Sequence, residues 1–232
     1  MTRRRLFDNF DFMPIARTKL NIQEADLWYA VGLITTDGCL SSDGRHIDIT
    51  SAHREYLENV RLKMGLKCRV GIKLRRDAPG ENFRIQFANK NFYEFLTNIG
   101  LTPKKSLTLG PLRIPESYYA DFFRGVIDGD GNILNWVHPS NGVEQWSLRV
   151  YSAAPLFIAW LKSTAEASFC VKGKLHRDRN IFVLKFGKLA AKRVLSCCYA
   201  GSSLYLERKM KLAQRCIAST SGWSKSHTLV TI

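Results

Sequence analysis

The 232-residue chain is short of the residue patterns that mark several common protein classes. Its six cysteines, at 39, 68, 170, 197, 198 and 216, include no C-x-x-C pair and no cluster with histidine at zinc-ligand spacing. They read as core or incidental thiols of a reducing compartment. The five histidines, at 46, 53, 138, 176 and 227, are scattered, which argues against a histidine-metal nuclease. Long apolar runs are also missing: the longest, "LWYAVGLI" at 27–34, falls far short of the ~20 residues a spanning helix needs. The opening "MTRRRLFDNFDF" has arginines but no apolar stretch behind them, and Asp8 and Asp11 argue against a transit peptide. The expected location is the cytoplasm or an organellar matrix, not the secreted space. Negative charge is scarce too, with 20 Asp and Glu against 35 Lys and Arg and a net charge of +15. Such a surplus implies a polyanionic partner, nucleic acid before an anionic membrane. A hydrophobic content of 45% is enough for an ordinary globular core.

What the chain does have is a repeat. "AVGLITTDG" at 30–38 and "FRGVIDGDG" at 123–131 share an outline of apolar run, central glycine, aspartate and glycine. Each is followed by an alternating strand-like run, "RHIDITSA" and "QWSLRVYSA", and then by an amphipathic helix pattern, "HREYLENVRLKMG" and "APLFIAWLKSTAEA". A second strand pair comes next, "RVGIKL" with "NFRIQFA" and "KGKLHR" with "NIFVLKFG". The closing helices are "KNFYEFLTNIG" and "KLAAKRVLSCCYA". The fold expected is α+β: two α-β-β-α-β-β-α units related by a pseudo-two-fold axis. The boundaries read as an N-terminal extension at 1–24, a first half at 25–110, a proline-bearing linker at 111–117, a second half at 118–216 and a tail at 217–232.

A glycine in a helix interior costs up to ~1 kcal/mol relative to alanine, so Gly32 and Gly125 call for compensation. Close approach of two helices through these glycines supplies it, and would set Asp37 and Asp130 side by side at the helix ends. Two neighbouring carboxylates repel unless a cation lies between them, and a hard divalent ion with oxygen ligands is the natural occupant.

The two motifs resemble the double motif of the LAGLIDADG homing endonucleases, in the single-chain form whose halves make a pseudo-dimer. "FFRGVIDGDGNI", "GLTPKKSLTL" and "LYLERKM" add to the likeness, which covers roughly residues 25–215. The resemblance implies a saddle of antiparallel sheets over the DNA major groove. It also implies two or more divalent ions, Mg²⁺ above all, held between Asp37 and Asp130. Mn²⁺ is expected to substitute, and Ca²⁺ to bind without turnover. It further implies hydrolysis of one phosphodiester in each strand of a long, asymmetric duplex by a monomer with no obligate protein partner. Lys105 in "PKKS" and Lys209 in "LERKM" match the lysines that relatives place near the scissile phosphate, although Lys104 and Arg208 are immediate neighbours. Ser51 and Ser152 match polar positions that order solvent around the metals. Thr35 replaces the earlier acid of the first motif, whereas Asp128 is kept in the second, so unequal halves are expected.

If the sheets lie on DNA, strand alternation puts one side-chain set in the groove. The candidates are Arg45, Asp48, Thr50, Gln145, Ser147 and Arg149 from the first hairpins. Lys73, Arg75, Arg84, Gln86, Lys172, Lys174, Arg177 and Lys185 come from the second. Some of these would touch phosphate only, giving affinity without sequence information. The alternative function is an RNA maturase or a DNA-binding regulator on the same scaffold without cleavage. Protein splicing is not expected, because the chain begins "MTRRR" and ends "LVTI" rather than with the Cys or Ser start and His-Asn end of an intein.

Overall fold

The computed structural model describes residue 18 and residues 20–73 and 81–220. Its first helix, α1 (Glu24–Asp37), is buried continuously from Asp26 to Thr35. A helix apolar on nearly all sides belongs at the centre of a molecule, not on its surface. At Gly38 the backbone turns extended (φ −101°, ψ 160°) and enters β1 (Gly38–Leu40) with no intervening loop. The corner requires glycine for space rather than for its φ: a Cβ on Gly38 would lie 2.6 Å from Ile34 Cα. α4 (Tyr119–Asp130) and β5 (Gly131–Val137) repeat the corner, where a Cβ on Gly131 would lie 2.5 Å from Ile127 O. In both copies the aspartate is the last residue of the helix.

The first half continues with β2 (His46–Ser51), α2 (Arg54–Lys63), β3 (Val70–Lys73), β4 (Asn82–Ala88) and α3 (Lys90–Asn98). Asn89 caps α3 through its side chain, which accepts a hydrogen bond from Phe92 N at 2.9 Å. A single 3₁₀ turn, Glu116–Tyr118, leads into α4. After β5 come β6 (Glu144–Ser152), α5 (Pro155–Phe169), β7 (Lys174–Asp178), β8 (Ile181–Gly187) and α6 (Lys188–Tyr199). The expected order of elements is therefore present twice. A further helix, α7 (Glu207–Ala218), was not anticipated.

Each half contributes one antiparallel four-stranded sheet, ordered β1-β2-β4-β3 and β5-β6-β8-β7. Ile47, Ile49, Ile85 and Phe87 from the first sheet, and Leu148, Val150, Leu184 and Phe186 from the second, join the helices in one core. The opposite, open face of each sheet carries the alternate residues, as a period of two demands. There Asp48 lies between Cys39 and Gln86, and Arg149 lies between Asn132 and Lys185. Among the described residues, no helix is long and apolar enough to cross a membrane.

Candidate functional site

α1 and α4 pack against each other at the middle of the molecule. A Cβ on Gly32 would overlap the carbonyl oxygen of Phe122, and one on Gly125 would overlap that of Tyr29. Only glycine permits this backbone-to-backbone crossing. One turn further on, Gly129 packs against Thr36, and a Cβ there would lie 3.3 Å from Asp37 Oδ2. The Asp37 carboxylate thus rests on the C-terminal end of α4, one residue before Asp130.

Asp37 is half-buried and Asp130 exposed. Burial, followed by the negative charge of Asp130, pushes the Asp37 carboxyl up to about 6. The positive charges of Lys209, Lys105 and Arg208 oppose that shift. Asp130, although open to solvent on one side, is raised as well, by the desolvation that the protein packed around it imposes, with Lys209 and Lys105 working against it.

Those two lysines are buried behind the carboxylates, Lys105 7% and Lys209 2% exposed. Lys209 Nζ donates to the carbonyls of Ile127 and Asp128 at 2.6 Å and to that of Gly129 at 3.2 Å. Lys105 Nζ donates to Gly38 O, directly after Asp37. Lys209 thus sits at the carbonyl end of α4 and Lys105 just past the end of α1, where a cation meets the negative end of the helix dipole. Burial pushes the Lys209 ammonium down to about 8 and lowers that of Lys105, although the nearby aspartates pull both upward. The neighbours are resolved too: Lys104 and Arg208 are exposed. Lys104 adopts φ 55°, a left-handed twist that swings the following residue inward.

The earlier acidic position differs between the halves. Asp128 is buried and accepts three hydrogen bonds, from Tyr29 Oη at 2.7 Å, Tyr199 Oη at 2.6 Å and Leu206 N at 2.8 Å. Tyr29 Oη in turn meets Tyr56 Oη at 2.5 Å. Burial outweighs these donors and raises the Asp128 carboxyl. Thr35, its counterpart, donates back to Val31 O at 2.7 Å within its own helix. Asp128 is thus an anchor joining α1, α6 and the lead into α7. Sequence reasoning missed these partners, and it also missed buried Arg124. That side chain donates to Leu204 O (3.0 Å), Cys198 O (2.7 Å) and Asp121 Oδ1 (2.8 Å), with its guanidinium 5.0 Å from the Tyr29 ring centroid. A charged residue inside an apolar helical run was the available signal.

Ser51 Oγ accepts from His53 N at 3.2 Å and Ser152 Oγ from Ala154 N at 3.1 Å, so both serines brace equivalent strand-to-helix turns. Of the expected groove residues, Asp48, Thr50, Lys73, Arg84 and Gln86 gather on the open face of the first sheet. Asp48 lies 3.7 Å from Lys73 Nζ, 3.8 Å from Arg84 Nη1 and 2.9 Å from Thr50 Oγ1. Gln145, Arg149, Lys174 and Lys185 share the open face of the second. Lys172 precedes β7 with its side chain 92% exposed.

Three candidates are placed otherwise. Arg177 has the register of Phe182 and lays its guanidinium over that ring, on the opposite face, which leaves His176 on the open one. Arg45 precedes β2 with the parity of buried Ile47 and pairs with Asp43 at 3.6 Å, so His46 takes the open-face place. Ser147 has the expected parity but is fully buried, and its Oγ has no hydrogen-bond partner. Arg75 lies outside the described residues. Cys39, Asn132 and Trp136 are exposed open-face residues that were not anticipated.

Among the described residues, no group of three or more His, Cys, Asp or Glu could enclose a metal ion. The donors at the helix ends still fit a hard divalent cation. Mg²⁺ is commonly held by one or two carboxylates, with phosphate oxygens and water completing its shell. The like charge that raises Asp37 is the charge such an ion would neutralise.

No family model and no curated protein matches the chain. Solved structures do. The homing endonuclease I-WcaI bound to its DNA recognition sequence aligns with a TM-score of 0.62 at 10% identity, over 90% of this chain and 95% of that one. The chain has the LAGLIDADG homing-endonuclease fold. I-DmoI in complex with DNA and Ca aligns at 0.53 and 14% identity, over 82% and 97% of the two chains. Full-length DUF199/WhiA from Thermatoga maritima aligns at 0.54 and 15%, over 86% of this chain, which spans 62% of that protein's length. At these identities the likeness is one of LAGLIDADG architecture.

Proposed function

We propose that this LAGLIDADG-fold chain is a monomeric, site-specific DNA endonuclease. It hydrolyses one phosphodiester in each strand of a long, asymmetric duplex, using divalent metal ions held between Asp37 and Asp130. The observation that carries the reading is the pair itself: two helices crossing at Gly32 and Gly125 end in adjacent aspartates whose carboxyls are raised by burial. A fold selected for stability alone has no use for that arrangement. The homing endonucleases with similar structures are bound to DNA, one with Ca, which agrees with the reading.

Residues 25–110 and 118–216 each take one half of the target, joined through 111–117. Asp37 and Asp130 would hold the ions, Mg²⁺ first. Bound there, a divalent ion supplies an activated water and neutralises charge developing on the phosphate. Lys209 and Lys105 act from behind. They fix the ends of α4 and α1, and their charge favours the ionised carboxylates that metal binding needs. With its ammonium hydrogen-bonded to three carbonyls, Lys209 positions and polarises rather than transferring a proton. On the open faces, Arg84 and Arg149 have the donors to read guanine, and Gln86 and Gln145 those to read adenine.

The test is incubation with a plasmid library of candidate sites in Mg²⁺, Ca²⁺ or EDTA. Double-strand breaks at one defined sequence, in Mg²⁺ alone, are expected. Their absence at every site removes the nuclease reading. The second reading, a DNA-binding regulator or RNA maturase without cleavage, draws on the two lysines being committed to backbone carbonyls. It leaves the strained carboxylate pair without a role.

A further inference from the structure

The open face of the second sheet is not polar throughout. By register Leu134 lies opposite Ser147 and Trp136 opposite Gln145, so two large apolar side chains share the face of Arg149 and Lys185. Leu134 is half-buried, while Trp136 is 39% exposed. The first sheet has no counterpart, because β1 ends at Leu40 whereas β5 runs to Val137. Ser147, opposite Leu134 on this face, is completely buried, as is Val183 farther along it beside Tyr151. The result is an apolar strip set among cations.

The charge around the strip selects the occupant. A partner must carry negative charge and also present small apolar groups at fixed positions. A second apolar protein surface would desolvate Arg149 and Lys185 without offering them a counter-charge. The DNA major groove meets both demands: phosphates line its rims, and the C5 methyl of thymine is the apolar group that its base edges display.

We propose that Leu134 and Trp136 contact thymine methyl groups, so that the half-site under the second sheet carries thymine at one or two fixed positions. The inference rests on the reading of the chain as a duplex-DNA-binding protein, and does not require that the DNA be cut.

The experiment selects sites from a randomised duplex library with the full chain in Ca²⁺, then replaces each recovered thymine by deoxyuridine, which removes only the methyl. The expected result is thymine fixed at one or two positions of one half of the site. Each replacement there should weaken wild-type binding about fourfold, equivalent to the ~0.8 kcal/mol of one buried methyl-sized group. In Leu134→Ser or Trp136→Ser, duplex binding should persist and the deoxyuridine penalty should vanish. No fixed thymine, or an undiminished penalty in both variants, overturns the proposal. So does a wild-type dimer in sedimentation that Trp136→Ser dissociates, which would give the strip to a second copy. Binding of a thymine-bearing site without any Mg²⁺-dependent cutting supports this contact and overturns the endonuclease. Failure to recover any duplex overturns both.

Discussion

Gly32 and Gly125 touch backbone to backbone: a Cβ on Gly32 would come within 3.0 Å of Gly125 Cα, and one on Gly125 within 3.0 Å of the Gly32 carbonyl carbon. Neither obstacle is a flexible side chain, so the helices themselves must part. Gly125→Ala is expected to lower stability in urea unfolding by about 1–3 kcal/mol, the range for overpacking a close contact. Because parting the helices also parts Asp37 from Asp130, Mg²⁺-dependent cleavage should fall further than stability does. Gly187→Ala is the control. Nothing lies within 4 Å of its Cβ position, and its stability should move by no more than about 0.5 kcal/mol.

The carboxylate pair predicts a pH dependence of definite sign. The Asp37 carboxyl titrates near 6 when folded, above its ordinary 3.8. Between those values the folded chain binds more protons than the unfolded one, so the contribution of this group is greatest below about pH 4 and is lost as pH rises through about 6. Asp37→Asn removes that loss. Without metal, the variant should be more stable than wild type at pH 7.5 by of order 1–2 kcal/mol, and the gap should close towards pH 4. Mg²⁺ should narrow the gap at pH 7.5 by stabilising the wild type alone. A variant no more stable than wild type at pH 7.5 would show that the pair is not strained.

The signals that carried the order of elements are local. Alternation in "NFRIQFA" yields β4 with the expected bounds, and the Asp-Gly corners yield a helix that ends at its aspartate. What stayed hidden depends on contacts between distant positions or on a single-residue register. Asp128 meets Tyr29, Tyr199 and Leu206, none of them near it in sequence. Arg177 and His176 exchange faces because the register at Asp178–Ile181 is set by the turn, and a slip of one residue reverses every side chain. Lys105 is separated from Lys104 only by the left-handed backbone of the latter. α7 was obscured by its basic residues, one of which, Lys209, turns out to be buried.

Three donors converge on one buried carboxylate at Asp128, so replacing it exposes what they are worth. Asp128→Asn keeps the shape but turns one oxygen into a donor facing other donors. The expected cost is about 1–3 kcal/mol in urea unfolding, from buried groups left unsatisfied. Tyr199→Phe removes a single donor and should cost less, about 1 kcal/mol. Thr35→Ser at the counterpart position keeps the hydroxyl that bonds Val31 O and should stay within about 0.5 kcal/mol. If Asp128→Asn were as mild as Thr35→Ser, Asp128 would not be the anchor joining α1 to the lead into α7.

On the first sheet, Asp48 holds Lys73 and Arg84 at 3.7 and 3.8 Å, an acid placed on a face expected to meet phosphate. Its carboxylate repels DNA, so what it contributes must be orientation of its two cations. Lys73, with its side chain 47% exposed, is the phosphate candidate. Lys73→Gln should weaken binding about equally across sequences and reduce the slope of log K against log salt by about 0.9, one phosphate contact. Arg84→Gln should instead cost about 1–3 kcal/mol on the cognate site alone, by losing a base contact. Asp48→Asn separates the two effects: non-specific affinity should rise as a repulsive charge is removed, while discrimination at the base met by Arg84 should fall. Equal gains on cognate and random duplex would mean that Asp48 only dilutes the positive field and orients nothing.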